Sequence, residues 1–310
     1  MPWSPIIKAK PCSMPSDSPS DTEPWTILKT LHWTVDFFKR HHLDTARIDA
    51  ELLLAKALKC QRIDLYIRHD QPLDGNELSI FKGLIRRRAA HEPIAYITGI
   101  KEFWSLPFEV TPDVLIPRPD TECLVETAVS VLTDRGFGDS ARTLELGVGS
   151  GAITVALAHE YRNGRFFALD RSLAAICLAK KNAGRNLGDH RIHFFAGDWM
   201  DALSADRALF DMIISNPPYI PTADIATLLE DIRRFEPVAA LDGGPDGLDA
   251  IRRILETAHL HLRPGGALLL EMGSDQRAAI EKCIDRLGHY SSVAFYKDYG
   301  GHDRVVLLRR

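Results

Sequence analysis

The sequence has few cysteines, no excess of basic residues and no long apolar run. Its 310 residues include five cysteines, which are widely scattered and form no Cys-x-x-Cys pair. This pattern argues against a disulfide framework or a metal cluster, and it favours a protein of a reducing compartment. No apolar stretch is long enough to cross a bilayer, and residues 1–10 lack the apolar core of a secretion signal. We therefore expect a cytoplasmic protein that is not a membrane protein.

The charge balance argues against a protein held mainly by nucleic-acid phosphates. Lys and Arg together number 38 and Asp and Glu 42, so the formal net charge is −4. Proteins that bind the phosphate backbone usually have a clear basic excess, so no direct sequence-specific nucleic-acid binding is expected. No His-Glu-x-x-His motif is present, and no metal site is predicted. The length admits one large domain and a small one.

Composition shifts along the chain predict four segments. In the second of them, Asp74 followed by Glu77 has the spacing of a capping box and predicts that a helix begins there. In the third, aromatic and β-branched residues favour a hairpin, with Gly99 as its predicted turn. The segments are a disordered Pro/Ser-rich tail (1–24), a helical domain (25–90), a β-hairpin connector (91–119) and an α/β domain (120–310).

From residue 120 onward, short apolar strands alternate with helices. This alternation predicts an α/β, doubly wound sheet that binds ligands at the carboxyl ends of its strands. The last strand (304–308) follows a short segment instead of a crossover helix, so we predict that it pairs antiparallel. A turn is expected at 264–266, where Pro is followed by two Gly. The earlier predicted strands are 143–146, 165–170, 191–197, 210–216 and 267–272.

A glycine-rich loop follows the first of these strands. Glycines between a strand and a helix let backbone N–H groups approach a ligand without Cβ clashes. The loop fits either a dinucleotide or S-adenosylmethionine, whereas a lone Gly-x-Gly-x-Gly is also found as a packing turn. Its candidate cofactor-binding residues are Glu145, Gly147, Val148, Gly149, Ser150 and Gly151.

Two acidic residues end the next two strands. Asp170 lies 23 residues after Gly147, close to the spacing of an acid that accepts hydrogen bonds from ribose hydroxyls. The alternative for Asp170 is a helix cap, but Ser172 would cap that helix equally well. Asp198 could accept from an adenine amino group and Trp199 could cover its ring, although alone this pair more often forms a cap and a packed indole.

The most specific motif is Asn216-Pro217-Pro218-Tyr219, at the end of the fourth strand. Two successive prolines hold their carbonyl groups rigid and outside any helix. The Asn216 side chain offers a carbonyl acceptor beside them, and Tyr219 offers a flat face. The motif therefore suits a planar group with an NH₂, such as an amide or the exocyclic amine of a base.

Taken together, these motifs resemble a class I S-adenosylmethionine-dependent methyltransferase that acts on nitrogen. The resemblance narrows to the HemK/PrmC family and covers the chain from about Trp25 to Arg310. It departs at the first loop, ELGVGSG, where the family commonly has DLGTGTG, so that Val148 replaces a hydroxyl. The strings that carry the resemblance are KEFWSLPFEVTPDVLIPRPDTE (101–122), NPPYI (216–220) and RFEP (234–237).

The resemblance implies an enzyme that methylates the side-chain amide of the glutamine in the Gly-Gly-Gln motif of class 1 peptide chain release factors. It further implies a seven-stranded Rossmann-like sheet, a small helical domain that binds substrate, and a monomer. Asn216, Pro217 and Tyr219 are the implied catalytic residues, and Asn216 also contacts the cofactor. Pro218 and Arg118 would join them in the substrate groove.

The chemistry of the Asn-Pro-Pro-Tyr motif leaves other substrates open. An adenine-N6 nucleic-acid methyltransferase faces the same problem after flipping its base out of the stack. A ribosomal-protein glutamine methyltransferase is a second alternative, although the string at 116–122 argues against it. A nicotinamide-dependent oxidoreductase would use the glycines and Asp170 but leave residues 216–219 unexplained. An adaptor that only binds a translation factor would not need a cofactor site.

Overall fold

The computed structural model describes residues 24–134, 140–188, 192–204 and 208–310. The predicted disordered tail lies outside these ranges apart from Pro24. The described chain falls into two compact units, one ending at Thr98 and the other beginning at Gly99. None of the helices in the described ranges is long and apolar enough to span a membrane.

The first unit is a helical domain with its own apolar core. Leu31, Val35 and Phe38 recur at helical spacing on the first helix, and all three are buried. Phe81 and Ile85 bury the facing side of the fourth helix. The helices are α1 (Ile27–Arg40), α2 (Ala46–Leu58), α3 (Arg62–Ile67), α4 (Gly75–Ala89) and α5 (Ile94–Thr98).

Polar contacts complete this unit at two places. The predicted capping box is present at the start of α4: Asp74 accepts from the Glu77 N–H at 2.7 Å, and Glu77 accepts from the Asp74 N–H at 2.9 Å. Farther along α4, the buried Arg88 donates to the buried Asp49 of α2 at 2.7 Å. Each of these two charges is compensated by the other, which is what burial of an ion pair requires.

A hairpin opens the second unit, but its turn is not at Gly99. Strands β1 (Ile100–Phe103) and β2 (Leu106–Glu109) pair antiparallel around Trp104 and Ser105, both in the left-handed region with φ of 53° and 56°. The Trp104 N–H donates to Glu122 at 2.8 Å, and its indole donates to Glu160 at 2.8 Å. These tertiary bonds hold a turn that lacks the usual glycine or asparagine, which is why composition pointed to Gly99 instead. Extended structure predicted at Tyr96 and Thr98 is also wrong, because both residues lie in helix α5.

The main sheet has seven strands in the order β5-β4-β3-β6-β7-β9-β8. The first five strands of this order run parallel, and β9 pairs antiparallel with both neighbours, which confirms the prediction for the last strand. The strands are β3 (Arg142–Leu146), β4 (Arg165–Asp170), β5 (Ile192–Ala196), β6 (Phe210–Ser215), β7 (Leu262–Glu271), β8 (Ser292–Lys297) and β9 (Asp303–Arg309).

Helices cover both faces of this sheet, as expected for a doubly wound fold. Apolar residues of the first three helices pack on one face, and residues of the last two pack on the other. The predicted turn at 264–266 instead lies within β7, where the pairing with β6 is irregular and absorbs the extra residues as a bulge. The helices are α6 (Glu122–Asp134), α7 (Ala152–Glu160), α8 (Leu173–Leu187), α9 (Glu230–Phe235), α10 (Asp249–His261) and α11 (Arg277–Leu287).

Candidate active site

A cavity of about 910 Å³ opens at the carboxyl ends of the parallel strands. The loops after β3, β4, β5 and β6 all contribute to its wall, as expected for a ligand site in a doubly wound sheet. Three predicted site residues, Gly151, Pro217 and Tyr219, do not line it. The predicted residues that do line it are Arg118, Glu145, Gly147, Val148, Gly149, Ser150, Asp170, Asp198, Trp199, Asn216 and Pro218.

The glycine loop between β3 and α7 is shaped by left-handed backbone at three positions. Gly147, Gly149 and Gly151 have φ of 72°, 52° and 84°, a region that side chains with a Cβ rarely adopt. A Cβ on Gly151 would also come within 3.1 Å of Ala179 on α8. Gly151 therefore permits close packing of α7 against α8 and is not part of the cavity wall.

Asp170 ends β4 and holds the glycine loop. Its Oδ2 accepts from the Gly149 N–H at 3.0 Å, and its Oδ1 accepts from the Ser172 N–H at 2.9 Å. Each carboxylate oxygen can accept more than one hydrogen bond, so both retain capacity toward the cavity. Ser172 caps α8 through the Ala175 N–H at 3.2 Å, so Asp170 is not needed for that role.

Glu145 is almost completely buried at the base of the cavity, with 1% of its surface exposed. The Thr154 N–H donates to its Oε2 at 2.9 Å, and the Thr154 hydroxyl donates to the same oxygen. Burial raises the pKa of Glu145 to about 8, and the bonds from Thr154 oppose that rise without cancelling it. The raised pKa favours the protonated form of Glu145 near neutral pH.

Asp198 and Trp199 follow β5 at another side of the cavity. Arg253 on α10 donates to Asp198 at 3.0 Å and also lines the cavity. Trp199 has a φ of 51°, a left-handed conformation that is uncommon for a bulky side chain. The surrounding structure holds the indole at the cavity wall despite this backbone cost.

Asn216 and Tyr219 point in different directions after β6. The Asn216 amide nitrogen donates to the hydroxyl of Thr121 at 3.2 Å, and both residues line the cavity. The Tyr219 hydroxyl instead donates to the buried Glu271 at 3.2 Å, and burial raises the pKa of this phenol. The Tyr219 ring, which was expected to offer a flat face to the substrate, therefore extends toward Glu271 and does not line the cavity.

A second glycine cluster supports the backbone of the Asn-Pro-Pro-Tyr segment. A Cβ on Gly243 would come within 2.8 Å of the Pro218 carbonyl oxygen, and one on Gly247 within 2.4 Å of the Tyr219 carbonyl oxygen. The Tyr219 carbonyl also accepts from the Gln276 side chain at 2.9 Å. Two glycines are thus required for this close approach of backbones.

Arg118 is committed to an ion pair inside the wall of the cavity. Its guanidinium donates to Glu236 at 2.6 Å, and the second oxygen of Glu236 accepts from the Ile116 N–H at 3.1 Å. Glu236 is buried, which raises its pKa, while Arg118 opposes the rise. The pair joins the segment around 116–118 to the segment around 236–240, so Arg118 shapes the cavity by holding its wall.

Two family models match this chain in succession: the PrmC N-terminal domain over residues 29–99 and the methyltransferase small domain over residues 121–232. A release factor glutamine methyltransferase of Geobacter sulfurreducens is 43% identical over 92% of this chain and 96% of its own length. One from Burkholderia pseudomallei is 46% identical over 83% of this chain and 90% of its own length. The chain belongs to the release factor glutamine methyltransferase family.

Solved structures agree on the class I methyltransferase fold of this family member. A methyltransferase from Pyrococcus furiosus matches with a TM-score of 0.50 at 22% identity, over 72% of this chain and 98% of that one. The hMettl16 catalytic domain, in complex with an RNA hairpin, matches with a TM-score of 0.52 at 18% identity, over 73% and 80%. At such identities the likeness concerns the fold alone.

The residues of the cavity fit S-adenosylmethionine, the cofactor of this methyltransferase family. The left-handed glycines leave the loop after β3 without side chains, so a ligand can approach its backbone closely. Asp170 offers acceptor oxygens at the end of β4, and Asp198 and Trp199 offer an acceptor and an aromatic ring at the end of β5. Donors and acceptors of these types match the amino acid, ribose and adenine parts of the cofactor.

Sequence reasoning missed several members of this family site. Glu271, Gly243 and Gly247 had no predicted role, Thr121 was expected only as a possible cap of the next helix, and Glu236 appeared only as a letter in RFEP. The sequence contained a signal for Glu271 and for the two glycines. Glu271 is a charged residue at the end of the apolar strand ALLLEM, and the two glycines stand in a cluster, GGPDG, that no predicted turn required.

Proposed function

We propose that this chain transfers a methyl group from S-adenosylmethionine to the side-chain amide nitrogen of the glutamine in the Gly-Gly-Gln motif of class 1 peptide chain release factors. The observation that supports this substrate best is the placement of Asn216 on the cavity wall, with its amide nitrogen engaged by Thr121. Its carbonyl oxygen is left for a ligand that donates an N–H.

Positioning is the main contribution of the protein, because a carboxamide nitrogen is a poor nucleophile. Its lone pair is delocalised into the carbonyl, and no side chain of the cavity is basic enough to deprotonate it at neutral pH. In the proposal, the Asn216 carbonyl, which lies on the cavity wall, accepts an amide hydrogen and fixes the orientation of the nitrogen. Alignment of this kind can lower a barrier by about 7–11 kcal/mol.

The remaining residues of the site bind the cofactor and enclose the substrate amide. When bound, S-adenosylmethionine supplies an electrophilic methyl group. Asp170, Asp198 and Trp199 would hold its nucleoside part, and the loop from Gly147 to Ser150 would hold the rest. Pro218 would pack on the plane of the substrate amide and exclude water. After methylation the nitrogen is far more acidic, so its proton can be lost to solvent.

Three finer points of the proposal concern the setting of the reaction. We take the enzyme to be cytoplasmic, because its proposed substrates act at the end of translation, and to act as a monomer. We also take it to need no sequence-specific contact with nucleic acid, which its net charge of −4 supports.

Mass spectrometry of a release factor incubated with this protein and S-adenosylmethionine tests the proposal. We expect one added methyl group on the motif glutamine, and none on a release factor in which that glutamine is replaced. Asn216→Ala should lower kcat at least about 100-fold, because one aligned contact is lost, while cofactor affinity stays within about threefold. Methylation of DNA or of a ribosomal protein without methylation of the release factor would overturn the proposal.

A further inference from the structure

The orientation of the Asn216 side chain depends on a residue from another part of the chain. Asn216 Nδ2 donates to the Thr121 hydroxyl at 3.2 Å, and Thr121 is the last residue of the short turn at Pro119–Thr121, before α6. A carboxamide has its acceptor and its donors on opposite sides. Engaging the nitrogen therefore turns the oxygen away from Thr121.

Behind Thr121 lies Glu271, at the carboxyl end of β7. The pairing of Ser215 with Leu270 brings the ends of β6 and β7 side by side, so Glu271 lies next to the start of the Asn-Pro-Pro-Tyr segment. Glu271 is 1% exposed and accepts from the Tyr219 hydroxyl at 3.2 Å. Thr121 interacts with the same carboxylate and, like Tyr219, lowers its pKa. Among the described residues, none donates to Glu271 Oε2, so the carboxylate has capacity for the Thr121 proton.

The ionised state of Glu271 decides which group donates and which accepts at each contact. An ionised carboxylate can only accept, so Tyr219 donates to Glu271, and a Thr121 hydroxyl that bonds the same carboxylate must donate as well. A hydroxyl that donates its single proton to Glu271 can only accept on its other side, so the Asn216 group that faces it must be the NH₂. With the Thr121 proton directed to Glu271 Oε2, which accepts from no described residue, the donors run in one direction from Asn216 through Thr121 to Glu271.

We propose that Thr121 and Glu271 are positioning residues that set the Asn216 amide, with its carbonyl oxygen presented to the amide of the substrate. This inference rests on the proposed function and names residues that it did not require. A neutral group at position 271 could donate to Thr121. The Thr121 hydroxyl could then donate to the Asn216 oxygen, and the amide would turn its NH₂ toward the substrate.

Some of the groups around Glu271 lower its pKa, and others raise it. Arg304 on β9 favours the carboxylate and is itself 3.0 Å from Asp298 and 3.5 Å from Asp120. Asp120 opposes the carboxylate, as does an ionised Cys123 on α6. Burial outweighs the bonds from Thr121 and Tyr219 and raises the pKa of Glu271 to about 7. The direction of the hydrogen bonds among Asn216, Thr121 and Glu271 can therefore change within the neutral pH range.

Steady-state kinetics with a release factor substrate test the inference in four variants of the full chain. Thr121→Val and Glu271→Gln should each lower kcat about tenfold or more, while KM for the release factor and the calorimetric affinity for S-adenosylhomocysteine stay within about twofold. Thr121→Ser keeps the hydroxyl and should retain kcat within about threefold. Thr127→Val is the matched control, since its buried hydroxyl donates to the Cys123 carbonyl of its own helix and not to Asn216 or Glu271.

The pH profile supplies a second readout, which a purely structural role would not change. In the wild-type enzyme, kcat should rise with pH around pH 7, because the ionised Glu271 gives the productive orientation. In Glu271→Gln this rise should disappear and kcat should stay low at every pH. The positioning role would be overturned if Thr121→Val kept the wild-type kcat, or if the variants lost affinity for S-adenosylhomocysteine by the same factor as kcat. It would also be overturned if kcat of Glu271→Gln rose with pH as it does in the wild type. If the wild-type enzyme leaves the release factor unmodified, the proposed function itself is wrong.

Discussion

At the scale of single residues, the buried Glu145 couples stability to pH. Its pKa is about 8 in the folded protein against an ordinary value of 4.5. In this range the unfolded chain releases the proton while the folded chain keeps it, so Glu145 makes folding less favourable as pH rises from 4.5 to 8. The stability that the protonated group contributes is complete below pH 4.5 and is lost by about pH 8.

Glu145→Gln should remove this dependence, because an amide accepts the same bonds from Thr154 and does not titrate. In the absence of cofactor, the free energy of unfolding of the variant relative to wild type should rise by several kcal/mol between pH 5 and pH 8. Urea titrations at fixed pH values measure this difference. A constant difference across that range would show that Glu145 is ionised in the folded protein.

Asp170 is the residue whose loss should weaken cofactor affinity most directly. Its oxygens hold the loop through Gly149 and remain available to ribose hydroxyls. Asp170→Ala should reduce the binding free energy of S-adenosylhomocysteine by about 1–3 kcal/mol, since charged hydrogen bonds are lost. Calorimetry measures the affinity, and Asp44→Asn, an exposed acid of the helical unit, is the control. Unchanged affinity in Asp170→Ala would contradict the assignment.

At the scale of elements, the beginning of α4 depends on a reciprocal cap. Asp74 and Glu77 satisfy each other's backbone N–H groups at 2.7 and 2.9 Å. Asp74→Ala leaves one of these groups without its partner and should lower the free energy of unfolding of the helical unit by about 1 kcal/mol. Chemical denaturation measures it, with Ser79→Ala, an exposed change within the same helix, as the control. Equal effects of the two variants would argue against the cap.

At the scale of the whole molecule, the cavity belongs to one unit and the helical core to the other. Every residue that lines the cavity lies between Pro112 and Arg253, after the boundary at Gly99. A ligand that binds only the folded form stabilises the unit that holds it. S-adenosylhomocysteine at 100 times its Kd should therefore stabilise the unit from Gly99 to Arg310 by about 2.7 kcal/mol.

Hydrogen exchange followed through a thermal ramp resolves the two units. The melting temperature of the larger unit should rise by about 5–10 °C, while α1 to α5 shift little. A nucleoside that does not bind the protein is the control. Equal protection of residues 27–98 would indicate that the helical unit unfolds together with the cavity.

The sequence by itself determined what depends on local pattern. Alternating strands and helices, the spacing from Gly147 to Asp170 and the Asn-Pro-Pro-Tyr motif follow from short stretches of chain. The parallel sheet then brings the ends of its strands together, and the cavity follows from that. The capping box of α4 could be predicted for the same reason, because its partners are three residues apart.

Only the tertiary structure decided which distant residues support those motifs. Thr121 and Glu271 lie 150 residues apart in the chain; Asn216 donates to Thr121, and the pairing of β6 with β7 places Glu271 beside the start of the Asn-Pro-Pro-Tyr segment. The same folding directs Tyr219 toward Glu271 and commits Arg118 to Glu236, where the motifs alone suggested contacts with substrate. A hairpin turn at Trp104–Ser105 is likewise held by acids from two helices. Such contacts depend on register and packing, which no local pattern records.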